Sequence, residues 1–285
     1  MMKLILSLTL FLFFSNACKQ QTKFEGPAGY DLTRPDILKM PAVLDELSGI
    51  AFNKGNPDTM YAEQDEDGKL FYFPVSGLDV KHQKFGKKGD YEDIAICNGT
   101  IVILRSDGVL FSFPVNTAVD REVSNVQETP GLLPDGEYEG IYADEAVSLL
   151  YVLCKDCSED NPTKSISGYV LQMSPGNRIE LKSNFQVNTK DIAAKLNEKK
   201  IVFRPSALAK NHLDNQWYIL SSVNKLLVIT DDKWEIRAVY PLDPALFPQP
   251  EGIAFDNDHN LYISNERALA SNATVLKFTF VKDKK

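Results

Sequence analysis

Residues 250–266 read PEGIAFDNDHNLYISNE, and this stretch decides the fold. A carboxylate and a glycine precede an apolar pair, a turn follows, and a tyrosine-containing apolar run closes the unit. The same order occurs in LSGIAFNKGNPDTMYAEQD from Leu47, YEDIAICNGTIVILRSD from Tyr91, YEGIYADEAVSLLYVLCKD from Tyr138 and PSALAKNHLDNQWYILSSV from Pro205. Aligned on one position (Gly49, Asp93, Gly140, Ala207 and Gly252), the units step by 44, 47, 67 and 45 residues. A period near 45 made of short β-type segments and turns is the signature of a β-propeller.

Outward from these segments the pattern continues. Each unit has a third strand, as in KLFYFPV, VLFSFPV, GYVLQM, KLLVIT and TVLKFTF, and most have a more polar fourth, such as IELKSNFQV and WEIRAVYPL. The long third step contains DIAAKLNEK, whose Ile192, Ala193 and Leu196 fit one short helix. It therefore reads as an insertion in one blade, with a sixth blade from the 154–200 region as the alternative. The last unit ends near Phe280 after three strands, and DILKMPAVL, ahead of the first repeat, can supply the fourth. The expected fold is all-β: five four-stranded blades closed by an N-terminal strand, in one domain over residues 34–282. If the borrowed strand is outermost, the GIA-type strands line the channel. The residues before each anchor, Ser48, Glu92, Glu139, Ser206 and Glu251, then meet at its mouth. The ends of the second strands add Asp65, Ser106, Lys155, Ser222 and Glu266, with Arg105 and Asn265 beside this outer shell.

Composition excludes several classes. The chain of 285 residues carries 39 Asp and Glu against 31 Lys and Arg, a net charge of −8. An acidic chain lacks the basic footprint that nucleic-acid phosphates require, so no nucleic-acid partner is expected. No apolar run approaches the ~20 residues of a membrane-spanning helix.

Residues 1–17 read as a signal peptide: an apolar core, MMKLILSLTLFLFF, then Ser15, Asn16 and Ala17 before Cys18. The box resembles the bacterial lipoprotein signal, in which Cys18 is lipidated; an ordinary secretory signal is the alternative. Acylation at Cys18 anchors a domain to a membrane surface without crossing it. Residues 18–33 form the expected tether. Lys19 is not the aspartate that retains lipoproteins in the inner membrane of enteric bacteria. The expected location is thus the outer membrane, facing the periplasm. Export permits disulfides, so Cys154 and Cys157 in CKDC read as incidental thiols or a local disulfide, and Cys97 as a core residue.

At LSGIAF, GDYEDIA, YEGIY, RPSALA, QPEGIAF and LYISNE the chain resembles the SdiA-regulated family of exported bacterial proteins, over roughly residues 36–280. The resemblance implies a five-bladed propeller with a calcium site, distantly similar to the paraoxonase, gluconolactonase and strictosidine synthase-like propellers. In the similar calcium-dependent hydrolases a glutamate at the EGI-like position binds the metal. Carried over, this names Glu92, Glu139 and Glu251.

Physical chemistry points the same way. Three carboxylates on one axis repel unless protons or a cation neutralise them. A wide all-oxygen ring suits calcium better than magnesium or softer metals. The alternative is that each glutamate accepts hydrogen bonds and holds no ion. Two functions follow. One is a calcium-binding module for a small-molecule or protein ligand at the mouth. The other is a calcium-dependent hydrolase of esters, lactones or phosphoesters. His82, His212 and His259 fall outside the ring, and no GxSxG, HExxH or P-loop occurs.

Overall fold

Runs of β-branched and aromatic residues bounded by Asn, Gly and Asp turns make strands in every repeat. The computed structural model describes residues 24–77, 79–115 and 122–282. After β1 (Asp36–Lys39), the first blade is β2 (Leu47–Phe52), β3 (Met60–Gln64), β4 (Lys69–Phe73) and β5 (Lys81–Lys84). The second is β6 (Tyr91–Cys97), β7 (Thr100–Arg105), β8 (Leu110–Pro114) and β9 (Gln127–Thr129). The third is β10 (Gly136–Asp144), β11 (Leu149–Cys157), β12 (Ser165–Ser174) and β13 (Arg178–Asn188). The fourth is β14 (Ala207–Asn211), β15 (Gln216–Ser221), β16 (Leu226–Thr230) and β17 (Ile236–Pro241). The fifth is β18 (Pro250–Phe255), β19 (Leu261–Asn265), β20 (Thr274–Phe278) and, outermost, β1. The result is the five-bladed propeller read from the repeats, with no sixth sheet among the described residues.

Closure is antiparallel, with Ile37 opposite Leu276 and Leu38 opposite Val275. The innermost strands β2, β6, β10, β14 and β18 neighbour one another around a closed ring. Between the blades lie five apolar clusters, one at each interface. Burial falls with radius: β2 is buried throughout, whereas β13 is exposed along most of its length. That gradient explains why the fourth strands are the polar ones. The long third step holds α1 (Thr189–Lys195), N-capped by Asn188, whose side chain accepts from the Lys190 N–H at 3.1 Å.

The packed domain begins before residue 34. Tyr30 and Leu32, in the segment read as a tether, are buried against blades four and five. The Tyr30 hydroxyl donates to the His259 carbonyl at 2.8 Å and accepts from the Asn211 amide at 3.2 Å. Cys154 and Cys157 form a disulfide, and Cys97 is buried and free. Among the described residues no helix is long and apolar enough to cross a membrane. The signal peptide and Cys18 lie outside the described residues.

Because β1 is the fifth blade's fourth strand, a chain beginning at residue 40 loses both that pairing and the Tyr30 anchor. Its melting temperature should fall by more than about 10 °C, several kcal/mol at this size. An unchanged melting curve would show that β1 does not close the ring.

Candidate functional site at the channel mouth

An innermost strand has one edge with no strand beside it, so its backbone N–H groups need other acceptors. Two buried carboxylates serve. Glu63 Oε1 accepts from the Gly49 N–H at 2.6 Å. Asp93 accepts from Ile94 and from Ile141 of the next blade, both at 2.8 Å. Burial holds both acids well above the usual carboxylate range. Glu63 Oε2 is buried and has no hydrogen-bond partner, which disfavours the ionised form.

Above this layer the channel opens into a cavity of about 490 Å³. Seven carboxylates line it: Glu46, Asp65, Asp90, Glu92, Glu139, Glu251 and Glu266. An adjoining cavity of about 320 Å³ shares Glu139, Lys155, Gln249 and Glu251, and adds Ser206, Ser222, Arg204 and Lys225. Thus Ser48, Glu92, Glu139, Ser206 and Glu251 do border one mouth, as the alignment of the repeats requires.

Their roles there differ. The Ser48 hydroxyl donates to the Glu92 carbonyl at 2.9 Å and Ser206 to the Pro250 carbonyl at 2.8 Å, so both join neighbouring blades. Glu139 is paired with Lys155. Glu251 accepts from Ser222, yet burial still raises it. Burial, with Asp90 adding, pushes Glu92 up to about 8. Burial and then Glu251 push Glu266 up to about 9, and burial and Glu46 push Asp65 up to about 6.

Oxygens of Glu46, Asp65 and Glu266 lie within 4.8 Å of one another. Asp65 Oδ1 is buried without a hydrogen-bond partner. The tightest convergence is therefore off the axis, towards blades one and five, and Glu139 on the far side is occupied by Lys155. Two candidates are corrected. Arg105 grips Asp107 at 2.8 Å, lies over Phe111 and lines a separate side cavity. Asn265 is fully buried, and its amide donates to the Leu246 carbonyl and Thr274 at 3.3 Å. Neither lines the mouth. All three histidines lie away from it: His82 on β5, His212 and His259 at the opposite channel end.

Sequence reasoning missed Glu46, Asp90 and Gln249. A signal was present: each sits three residues before its anchor, immediately ahead of an innermost strand, so the repeats place the three equivalently. Arg204 occupies the same place in the fourth repeat.

The family model described as SdiA-regulated matches residues 30–270. The chain belongs to the SdiA-regulated family. No curated protein matches it. Among solved structures, this SdiA-regulated protein is similar to a luciferin-regenerating enzyme, at 10% identity over 87% of this chain and 96% of that one, with a TM-score of 0.56. It is also similar to the glutaminyl cyclase of Myxococcus xanthus, at 12% identity over 87% and 96% of the two chains, with a TM-score of 0.55. At such identity the likeness is one of fold.

The raised carboxylates set a pH dependence. Unfolded glutamates titrate near ~4.3, so between there and about 9 the cation-free folded state holds protons that the unfolded state has lost. Stability must then fall as pH rises. The metal-free melting temperature should drop steadily from pH 5 to pH 9, whereas a profile flat over that range would mean that these acids are already ionised.

Proposed function

We propose that this protein is an exported, lipid-anchored propeller that binds calcium at its acidic mouth and there receives a small-molecule or protein ligand. The observation that carries the reading is the Glu46–Asp65–Glu266 cluster, with an unsatisfied Asp65 oxygen, bordered by Glu92 and Glu251. The donors are all oxygens, which suits a hard cation with a flexible shell. Glu46, Asp65 and Glu266 would hold the ion. Glu92 and Glu251 complete its charge environment. Glu139, the third carboxylate of the EGI-type positions, is neutralised by Lys155. Bound calcium would supply a Lewis-acidic contact for an oxygen of the ligand.

The second reading, a calcium-dependent hydrolase of esters, lactones or phosphoesters, is favoured by one observation. Glu92, pushed up to about 8 while no ion is bound, borders the cluster, where its carboxyl can exchange a proton with a substrate held by the ion. With every histidine elsewhere, Glu92 would carry the proton transfer. A screen of such substrates with Glu92→Gln as the control separates the two readings. Hydrolysis lost in the variant supports the enzyme; silence with intact calcium binding supports the binding module.

Calcium bound only by the folded state should stabilise it by about 2.7 kcal/mol at ~100 times the dissociation constant. Chelation should lower the melting temperature, and calcium should restore it better than magnesium. Asp65→Asn or Glu266→Gln should abolish the response, and Glu139→Gln should weaken it less. Indifference to chelator and calcium alike, with no co-purifying metal, would refute the site.

Anchoring rests on the apolar run that ends at Ser15-Asn16-Ala17-Cys18. Cys18→Ser should release the protein from membranes or block its processing. Unchanged fractionation with an unchanged processed mass would leave an ordinary secretory signal.

A further inference from the structure

At the end of the channel opposite the carboxylates lies a second cavity of about 450 Å³. Its walls come from the residues that follow the anchors. Two positions on, four blades carry alanine (Ala51, Ala95, Ala209 and Ala254), and the third carries Tyr142. The alanines leave the space open, and the tyrosine breaks the five-fold pattern by placing one hydroxyl within it. That hydroxyl is 2.8 Å from His212 Nε2. The Tyr142 ring packs edge-on against Trp217, with centroids 5.3 Å apart, so the pair is held in place.

One position further out, the rim divides. Phe52, Ile96 and Phe255 give blades five, one and two an apolar side. Blades three and four present Tyr142, Asp144, Glu145, Lys210 and His212, and Lys54 and Asn257 stand at the edge of blades one and five. A concave site of a few hundred cubic ångströms, with apolar walls and one or two convergent polar groups, is the form taken by small-molecule pockets. Asp256, the acid buried in this wall, is already satisfied by the Asp258 and Asn260 N–H groups, the Asn260 amide and the Tyr262 hydroxyl. Among the other polar groups of the cavity, Tyr142 and His212 form a hydrogen-bonded pair, with Tyr142 packed on Trp217, and this pair offers a fixed polar handle.

We propose that this end of the channel binds one small, mainly apolar molecule carrying a single hydrogen-bonding group. Its body lies on the Phe52–Ile96–Phe255 side and its polar group on Tyr142 and His212. The site is independent of the calcium reading, because it lies beyond the buried Glu63–Asp93 layer and uses none of the mouth carboxylates.

N-phenyl-1-naphthylamine is a suitable probe, being neutral and apolar with one N–H. Titrated into the protein, it should show saturable, single-site fluorescence enhancement that is the same with calcium and with chelator. Ala143→Phe should weaken binding at least tenfold by filling the rim. It should still fold, because Phe52 and Phe255 occupy the equivalent places in other blades. Tyr142→Phe and His212→Ala, which remove only the polar handle, should each weaken it about three- to tenfold. Glu266→Gln should leave it unchanged. Unsaturable binding by the wild type would overturn the proposal, as would wild-type affinity in folded Ala143→Phe. Wild-type affinity in both Tyr142→Phe and His212→Ala would overturn the polar-handle assignment.

Discussion

Around the axis, neighbouring innermost strands approach so closely that there is almost no room for a side chain at the anchor position. A Cβ on Gly252 would stand 2.5 Å from the Ser48 carbonyl oxygen of the next blade. On Gly49 it would meet the backbone of Asp93 at 2.7 Å, and on Gly140 the backbone of Ala207 at 3.2 Å. Backbone atoms cannot yield as the end of a flexible side chain can, so these places take glycine or alanine. Everything at the channel follows from that crowding. It brings the residue before each anchor, and in four blades the residue three before it, to a common mouth, and it turns the residues beyond each anchor towards the opposite end.

Asp93 is the exception to the small-residue rule. Its carboxylate occupies the space left by the missing Gly49 side chain, 2.4 Å from where that Cβ would stand. There it binds the free edge donors of two blades. Glu63 does the same for Gly49 itself. Edge strands elsewhere are protected by bulges or charges; here the exposed edge lies inside the molecule and is capped by buried acids. The cost is two carboxyls held away from water, tolerable because each accepts hydrogen bonds from the backbone.

The repeats made the blade number, the closing strand, the inserted helix and the equivalence of the five mouth residues legible, because each depends on local periodicity. What remained hidden depends on angles between blades or on one neighbour. Glu46, Asp65 and Glu266 come from the start of one strand and the ends of two others, so their meeting requires the turn from the fifth blade to the first. Arg105 lies at the mouth by alignment alone; Asp107, two residues on, turns its guanidinium aside. Asn265 is drawn into the barrier between β19 and the Leu246 turn by a carbonyl. Tyr30 and Leu32 look like linker because their apolar partners are far away in sequence, with Tyr218, Phe255 and Phe280 lying 188 to 250 residues beyond Tyr30.

Charge at the mouth is distributed unevenly, and the disulfide accounts for part of that. Cys154 and Cys157 bracket Lys155 and Asp156 at the end of β11. Lys155 is directed to Glu139, and Asp156 to Arg204 at 2.8 Å. Lys225 donates to the Pro248 carbonyl at 2.6 Å on the same side. Blades three and four therefore carry the cations, while blades five, one and two carry acids without comparable partners. Arg267 comes no nearer than 3.9 Å to Glu46 and lies closer to Asp45. On an axis with five-fold charge symmetry a cation would sit at the centre, equidistant from Glu92, Glu139 and Glu251. With Glu139 neutralised, the deepest negative potential shifts towards Glu46, Asp65 and Glu266, where the proposed ion has its ligands. An ion held off-centre leaves the Lys155–Lys225 side of the mouth open, and a ligand entering there can contact the cation on one flank and ammonium groups on the other.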